Sequence, residues 1–162
     1  MNGKRKRAPL AGRVANAMVG LLIGRFGVNL QGAELLHVRG RMTGRIRSVP
    51  VNPVVVRGAR YLVAPRGETA WVRNIRVAGE ATLQHGRRRE HIRVEEVPDD
   101  AKVPILREYL RRWYWQVGRL FGVPKHADDA TLQAIAGRHP VFRIVPSSVR
   151  AAGDPHGPVM SM

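Results

Sequence analysis

The chain has 162 residues, 18.0 kDa, and is 44% hydrophobic, enough for one domain with a substantial core. Its 28 lysines and arginines against 12 acidic residues give a formal net charge of +16, which calls for an acidic partner: nucleic acid, an anionic membrane surface or a polyanionic small molecule. The lack of cysteine excludes disulfides, thiolate nucleophiles and thiolate zinc sites; the six histidines (His37, His85, His91, His126, His139, His156) are scattered without metal-ligand spacing, so no metal is expected.

Residues 1–9, with Lys4-Arg5-Lys6-Arg7, read as a basic disordered tail. Over 10–29 the pattern becomes helical: Leu10, Val14, Ala17, Met18 and Leu21 share one face. Arg13 and Arg25 bracket an uncharged stretch too short to span a bilayer, which needs about 20 apolar residues. A basic start before an apolar run also outlines a signal peptide, but no small-x-small cleavage pattern follows Gly24. The expectation is an amphipathic helix that packs on the domain or lies on a membrane surface, the basic tail drawn to anionic lipid.

The middle of the chain reads as β structure. Strands are predicted over 34–39 and 46–56, the second an edge or bulged strand because of Pro50 and Pro53. A hairpin turn at 57–60 leads into a strand over 61–64. Thr69 is a candidate cap for a short helix over 70–77. Strands follow over 81–85 and 90–97, joined by Gly86-Arg87-Arg88-Arg89. Pro98-Asp99-Asp100 opens a long helix, predicted over 101–117 or beyond, with both aspartates at its positive end. Val103, Leu106, Leu110 and Trp113 make its apolar stripe. A short helix over 128–136 and a strand over 140–145 close the domain, and residues 147–162 read as a flexible tail. About six strands with little room for parallel crossovers predict an α+β, mainly β fold: an antiparallel barrel or sandwich carrying helices.

The most informative segment lies between the first two strands: Gly40-Arg41-Met42-Thr43-Gly44-Arg45-Ile46-Arg47-Ser48-Val49-Pro50. A turn offering a hydroxyl, free backbone N–H groups and converging guanidinium groups suits an anion. With Leu62-Val63-Ala64-Pro65-Arg66-Gly67, Trp71-Val72-Arg73-Asn74-Ile75-Arg76 and the closing Pro140-Val141-Phe142-Arg143-Ile144-Val145, it resembles the deazaflavin (coenzyme F420)-dependent nitroreductase family of flavin and deazaflavin oxidoreductases. The resemblance covers roughly 30–146.

It implies a six-stranded antiparallel split β-barrel of the FMN-binding-like type, helices packed outside, and binding of coenzyme F420, whose phosphate and oligoglutamate tail make it a polyanion; FMN is the second choice. Carried over by position, Thr43, Gly44 and Arg47 match the phosphate-binding turn, with Arg41 and Met42 just before it. Ala64, Pro65, Arg66 and Gly67 match the loop that meets the tail and the ring. Ala70, Trp71, Val72, Arg73 and Asn74 match a helix start facing the pyrimidine edge. Met42 stands where many relatives have lysine, and Gly79-Glu80 replaces their Asn-Pro.

The implied activity is hydride transfer from reduced coenzyme to a small conjugated acceptor: a quinone, nitroaromatic or enone. The chemistry is the cofactor's, so no catalytic acid or base is expected. The acceptor pocket is expected to draw on Trp113, Tyr114, Trp115 and Phe121, four of the nine aromatic residues. The alternative function is a non-catalytic carrier of flavin, haem or lipid on the same scaffold. No recognition motif favours specific nucleic-acid binding. The expected protein is a cytoplasmic monomer or homodimer, with residues 1–26 offering a peripheral contact to the inner face of the membrane.

Overall fold

The computed structural model describes residues 33–146; the predicted helix at 10–29 and both tails lie outside them. Seven strands form one antiparallel sheet: β1 (Glu34–Arg39), β2 (Ile46–Val51), β3 (Val54–Val56), β4 (Ala59–Val63), β5 (Glu80–His85), β6 (Arg88–Glu96) and β7 (Val141–Pro146). The helices are α1 (Ala70–Ala78), α2 (Val103–Phe121) and α3 (Asp129–Ile135).

The expectation of six strands is corrected to seven, for a local reason. The predicted strand over 46–56 is cut at Asn52-Pro53, where proline has no N–H to give a ladder. The two pieces then part. The sheet order is β2-β1-β5-β6-β7-β4-β3, so β2 and β3 are its opposite edges. Laid flat, seven strands separate their outer members by roughly 29 Å, at about 4.8 Å a step. Val51 and Val54 are three residues apart and can be separated by about 11 Å at most. The sheet must therefore curl until its edges nearly meet, which makes a half-closed barrel with Asn52-Pro53 across the gap.

Its interior is filled by residues that alternate along the strands: Leu36 and Val38 from β1, Leu83 from β5, Ile92 from β6, Phe142 and Ile144 from β7. Val72 and Ile75 of α1 pack into the same cluster. A second cluster lies under α2, whose Ile105, Leu106, Tyr109, Leu110, Trp113, Val117 and Phe121 recur at three- and four-residue spacing. They pack on Val54, Val63 and Val141 of the barrel and on Leu132 and Ile135 of α3.

One aspartate placed by sequence at the start of the long helix has another use. Asp99 lies in a short 3-10 turn and binds the buried Lys102, whose Nζ also donates to the Ala136 carbonyl at 3.1 Å. The ammonium group is thereby satisfied where water does not reach it.

Candidate functional site

A cavity of about 740 Å³ opens between the β1–β2 turn, the N-terminus of α1, the gap at Asn52-Pro53 and one side of α2. Among the described residues four arginines line it, Arg41, Arg47, Arg66 and Arg119, and no carboxylate does.

The β1–β2 turn is held by its own backbone: Gly40 N–H donates to the Arg45 carbonyl at 2.8 Å and Gly44 N–H to the Gly40 carbonyl at 2.9 Å. Gly44 has φ +68, a conformation side chains seldom adopt. The Thr43 hydroxyl accepts from Arg45 N–H at 3.3 Å. Asn74 of α1 is buried, and its Oδ1 accepts from both the Arg41 backbone N–H (3.2 Å) and the Arg41 guanidinium (2.9 Å). This residue fixes the turn to the helix. Arg47, on β2 opposite Val38, is exposed at the mouth.

The second loop runs Ala64-Pro65-Arg66-Gly67. Ala64 is buried, its N–H donating to the Pro140 carbonyl at 2.9 Å. Gly67 turns the chain at φ +72, and a Cβ there would lie 2.8 Å from the Arg138 carbonyl. Thr69 precedes α1 in extended conformation but makes no side-chain cap, and its Oγ1 is buried without a partner. No acidic residue stands in the first turn of α1. Thr69 N–H donates to the Gly67 carbonyl at 2.8 Å, so the positive end of the helix and its first-turn N–H groups face the cavity through Ala70 and Trp71.

Of the positions carried over from the resemblance, Arg41, Met42, Thr43, Arg47, Pro65, Arg66, Ala70, Trp71 and Asn74 line this one cavity. Gly44, Ala64 and Gly67 shape the loops from behind. Val72 is buried in the barrel core, and Arg73 is exposed, outside the lining.

The four aromatic residues expected in an acceptor pocket do not line this cavity. Trp113 and Phe121 are buried under α2, where Phe121 stacks on His139 with ring centroids 4.0 Å apart. Tyr114 donates its hydroxyl to the Val123 carbonyl, and Trp115 is 64% exposed. The cavity is lined instead by Tyr109, Gln116, Val117, Arg119 and Leu120 of the same helix. The sequence carried no signal for Asn52, which the strand break turns inward. Burial pushes the Tyr109 hydroxyl well above the ordinary tyrosine range, a hydrogen bond with Asn52 opposing the shift. Tyr109 therefore keeps its O–H at neutral pH.

The chain matches the family model described as F420H(2)-dependent quinone reductase over residues 11–127. The chain belongs to that family. It is an oxidoreductase that uses coenzyme F420. A basic mouth, a helix N-terminus and a cavity in the size range of cofactor sites, about 300–1,000 Å³, fit an anionic, ring-bearing coenzyme.

No curated protein matches the chain. Among solved structures, the protein Atu2129, of unknown function, from Agrobacterium tumefaciens str. C58 is similar over 90% of this chain and 59% of its own, at 15% identity and TM-score 0.50. That likeness speaks for the fold alone. The conserved hypothetical protein Rv2991 from Mycobacterium tuberculosis is 14% identical over 91% of this chain and 86% of its own, at TM-score 0.46. An F420-H2 dependent reductase, FDR-A, is 22% identical over 74% of this chain and 100% of its own, at TM-score 0.44.

Proposed function

We propose that this F420-dependent reductase holds coenzyme and acceptor together in the cavity between α1 and α2, and that the acceptor is a quinone. The observation that carries this is one 740 Å³ space lined both by arginines and by the apolar Val49, Val51 and Val117. Arg41, Arg47 and Arg66 would meet the coenzyme's phosphate and acidic tail, through charge-assisted hydrogen bonds. The N–H groups at the start of α1, with Thr69 Oγ1, would meet the polar edge of the ring. Trp71, half-buried and tilted on Phe142 at 5.8 Å, would flank the ring. The α2 wall of Tyr109, Gln116, Val117 and Leu120 would hold a flat acceptor. When bound, the reduced coenzyme supplies a hydride; the protein binds, orients and excludes water.

The test is reoxidation of reduced F420 by menadione, a soluble naphthoquinone. Catalysed turnover that saturates in both reactants supports the reading. Protein that carries FMN or haem and leaves reduced F420 untouched would favour the carrier instead.

Among the described residues no helix is long and apolar enough to cross a membrane. Residues 1–26 are proposed as a peripheral contact that brings the enzyme to lipid quinone. Their basic run and amphipathic pattern support this. Cosedimentation with anionic vesicles, lost on removal of 1–26, is the expected result.

A further inference from the structure

Two amide side chains meet on the cavity lining where β2 gives way to β3. Asn52 Nδ2 donates to Gln116 Oε1 at 3.1 Å, and the Tyr109 hydroxyl stands beside the same Asn52 amide; this uses one polar group of Asn52 and one of Gln116. The other two, Asn52 Oδ1 and Gln116 Nε2, are buried and have no hydrogen-bond partner. Asn52 keeps only 7% of its surface. Native proteins seldom leave such groups unpaired, because burial without a partner is costly. Exchanging oxygen and nitrogen in both amides preserves the pair and still leaves one donor and one acceptor over. Whichever way it lies, the pair offers both.

We propose that the Asn52–Gln116 pair recognises a ring oxygen of the hydride acceptor, which makes these two residues determinants of acceptor specificity. The inference rests on the reading that coenzyme and acceptor share this cavity. A quinone oxygen can only accept a hydrogen bond, and it takes the spare N–H. One hydride and one proton convert a quinone to its hydroquinone, and the resulting hydroxyl also donates; it takes the spare amide oxygen. One neutral pair thus matches substrate and product. The apolar residues around it, Val49, Val51 and Val117, hold a ring by contact but cannot tell a quinone from a plain hydrocarbon. Gln116 stands seven residues after Tyr109 and four before Leu120, so the three share one line of α2, with the amide between two groups that grip the ring.

The test compares two probes by equilibrium dialysis: menadione, and 2-methylnaphthalene, which has the same rings and methyl group without the oxygens. Wild-type protein, Gln116→Met and the double variant Asn52→Leu/Gln116→Leu are measured, with F420 affinity followed alongside. The expected result is a menadione dissociation constant raised about fivefold to tenfold in both variants, while 2-methylnaphthalene and F420 bind as before. Unchanged menadione affinity, or an equal loss for both probes, overturns the inference; the pair would then only pin α2 to the strand break. Wild-type protein that fails to bind menadione overturns the shared-cavity reading as well. Should the double variant not fold, Gln116→Met, at a half-buried helical position, decides alone.

Discussion

The wall of the cavity made by the β1–β2 turn and α1 carries its polarity as charge, at the surface. The wall made by α2 carries its polarity as neutral amides, buried. Arg41 and Arg47 stay solvated, so they cost little to maintain and remain available to an anion. At the depth of Asn52 a guanidinium group would need its own counter-charge, whereas an amide pair satisfies half of itself. On the proposed reading the same distinction separates their tasks: charge would select the coenzyme, and uncharged hydrogen bonding would select what reacts with it. Five substitutions or conditions would break or sharpen that division.

The largest effect is expected where the charged wall depends on backbone conformation. Gly67→Ala forces a side chain into φ +72 and to within 2.8 Å of the Arg138 carbonyl. It should cost about 3 kcal/mol of stability in urea unfolding. Next, Arg47→Ala should weaken F420 binding by about 2 kcal/mol, roughly thirtyfold, with a shallower salt dependence. Menadione affinity should not change; if it fell in parallel, the two walls would not have separate tasks. Asn74→Ala, which removes both acceptor contacts to Arg41, should cost about 1–2 kcal/mol of F420 affinity by loosening the turn. Calorimetry measures both.

The fourth concerns His139, which joins α2 to the loop before α1: its ring stacks on Phe121 of α2 and its Nδ1 lies 3.4 Å from the Ala64 carbonyl. Burial holds its pKa below the ordinary 6.5. The unfolded chain therefore takes up this proton first, so stability from this residue is present above pH 6.5 and lost as pH falls from there toward the lowered value. A urea midpoint that drops on acidification through this window, and drops less in His139→Asn, is expected. Smallest of all, Trp115→Ala should move stability by no more than about 0.5 kcal/mol and leave turnover unchanged, since Trp115 faces away from the cavity.

The division between the walls also explains what could be read from the chain. The turn over 40–47 and the helix beginning at Ala70 were legible because their signals are local: hydroxyl, glycine and arginines within one turn, and a helix start a few residues after a loop. The strand break was only half legible. Pro50 and Pro53 marked the segment as irregular, but that its halves join opposite edges of the sheet depends on pairings with β1 and β4, which no local pattern encodes. That α2 meets the cavity through other residues than the expected aromatic ones has a related reason. Periodicity already placed Trp113 on the buried stripe, yet its aromatic character drew it into the acceptor pocket. Which flank of that stripe meets the cavity is set by how α2 rests on β3 and β4, and that rotation brings in Tyr109, Gln116 and Leu120. Asn52 carried no signal because an asparagine before proline reads as an ordinary turn.

The most direct test of the central claim is side-by-side calorimetric titration of the protein with coenzyme F420 and with FMN. The account predicts saturable one-to-one binding of F420, tighter than FMN and weakened by added salt. Preference for FMN, or no heat on titration with F420, would contradict it.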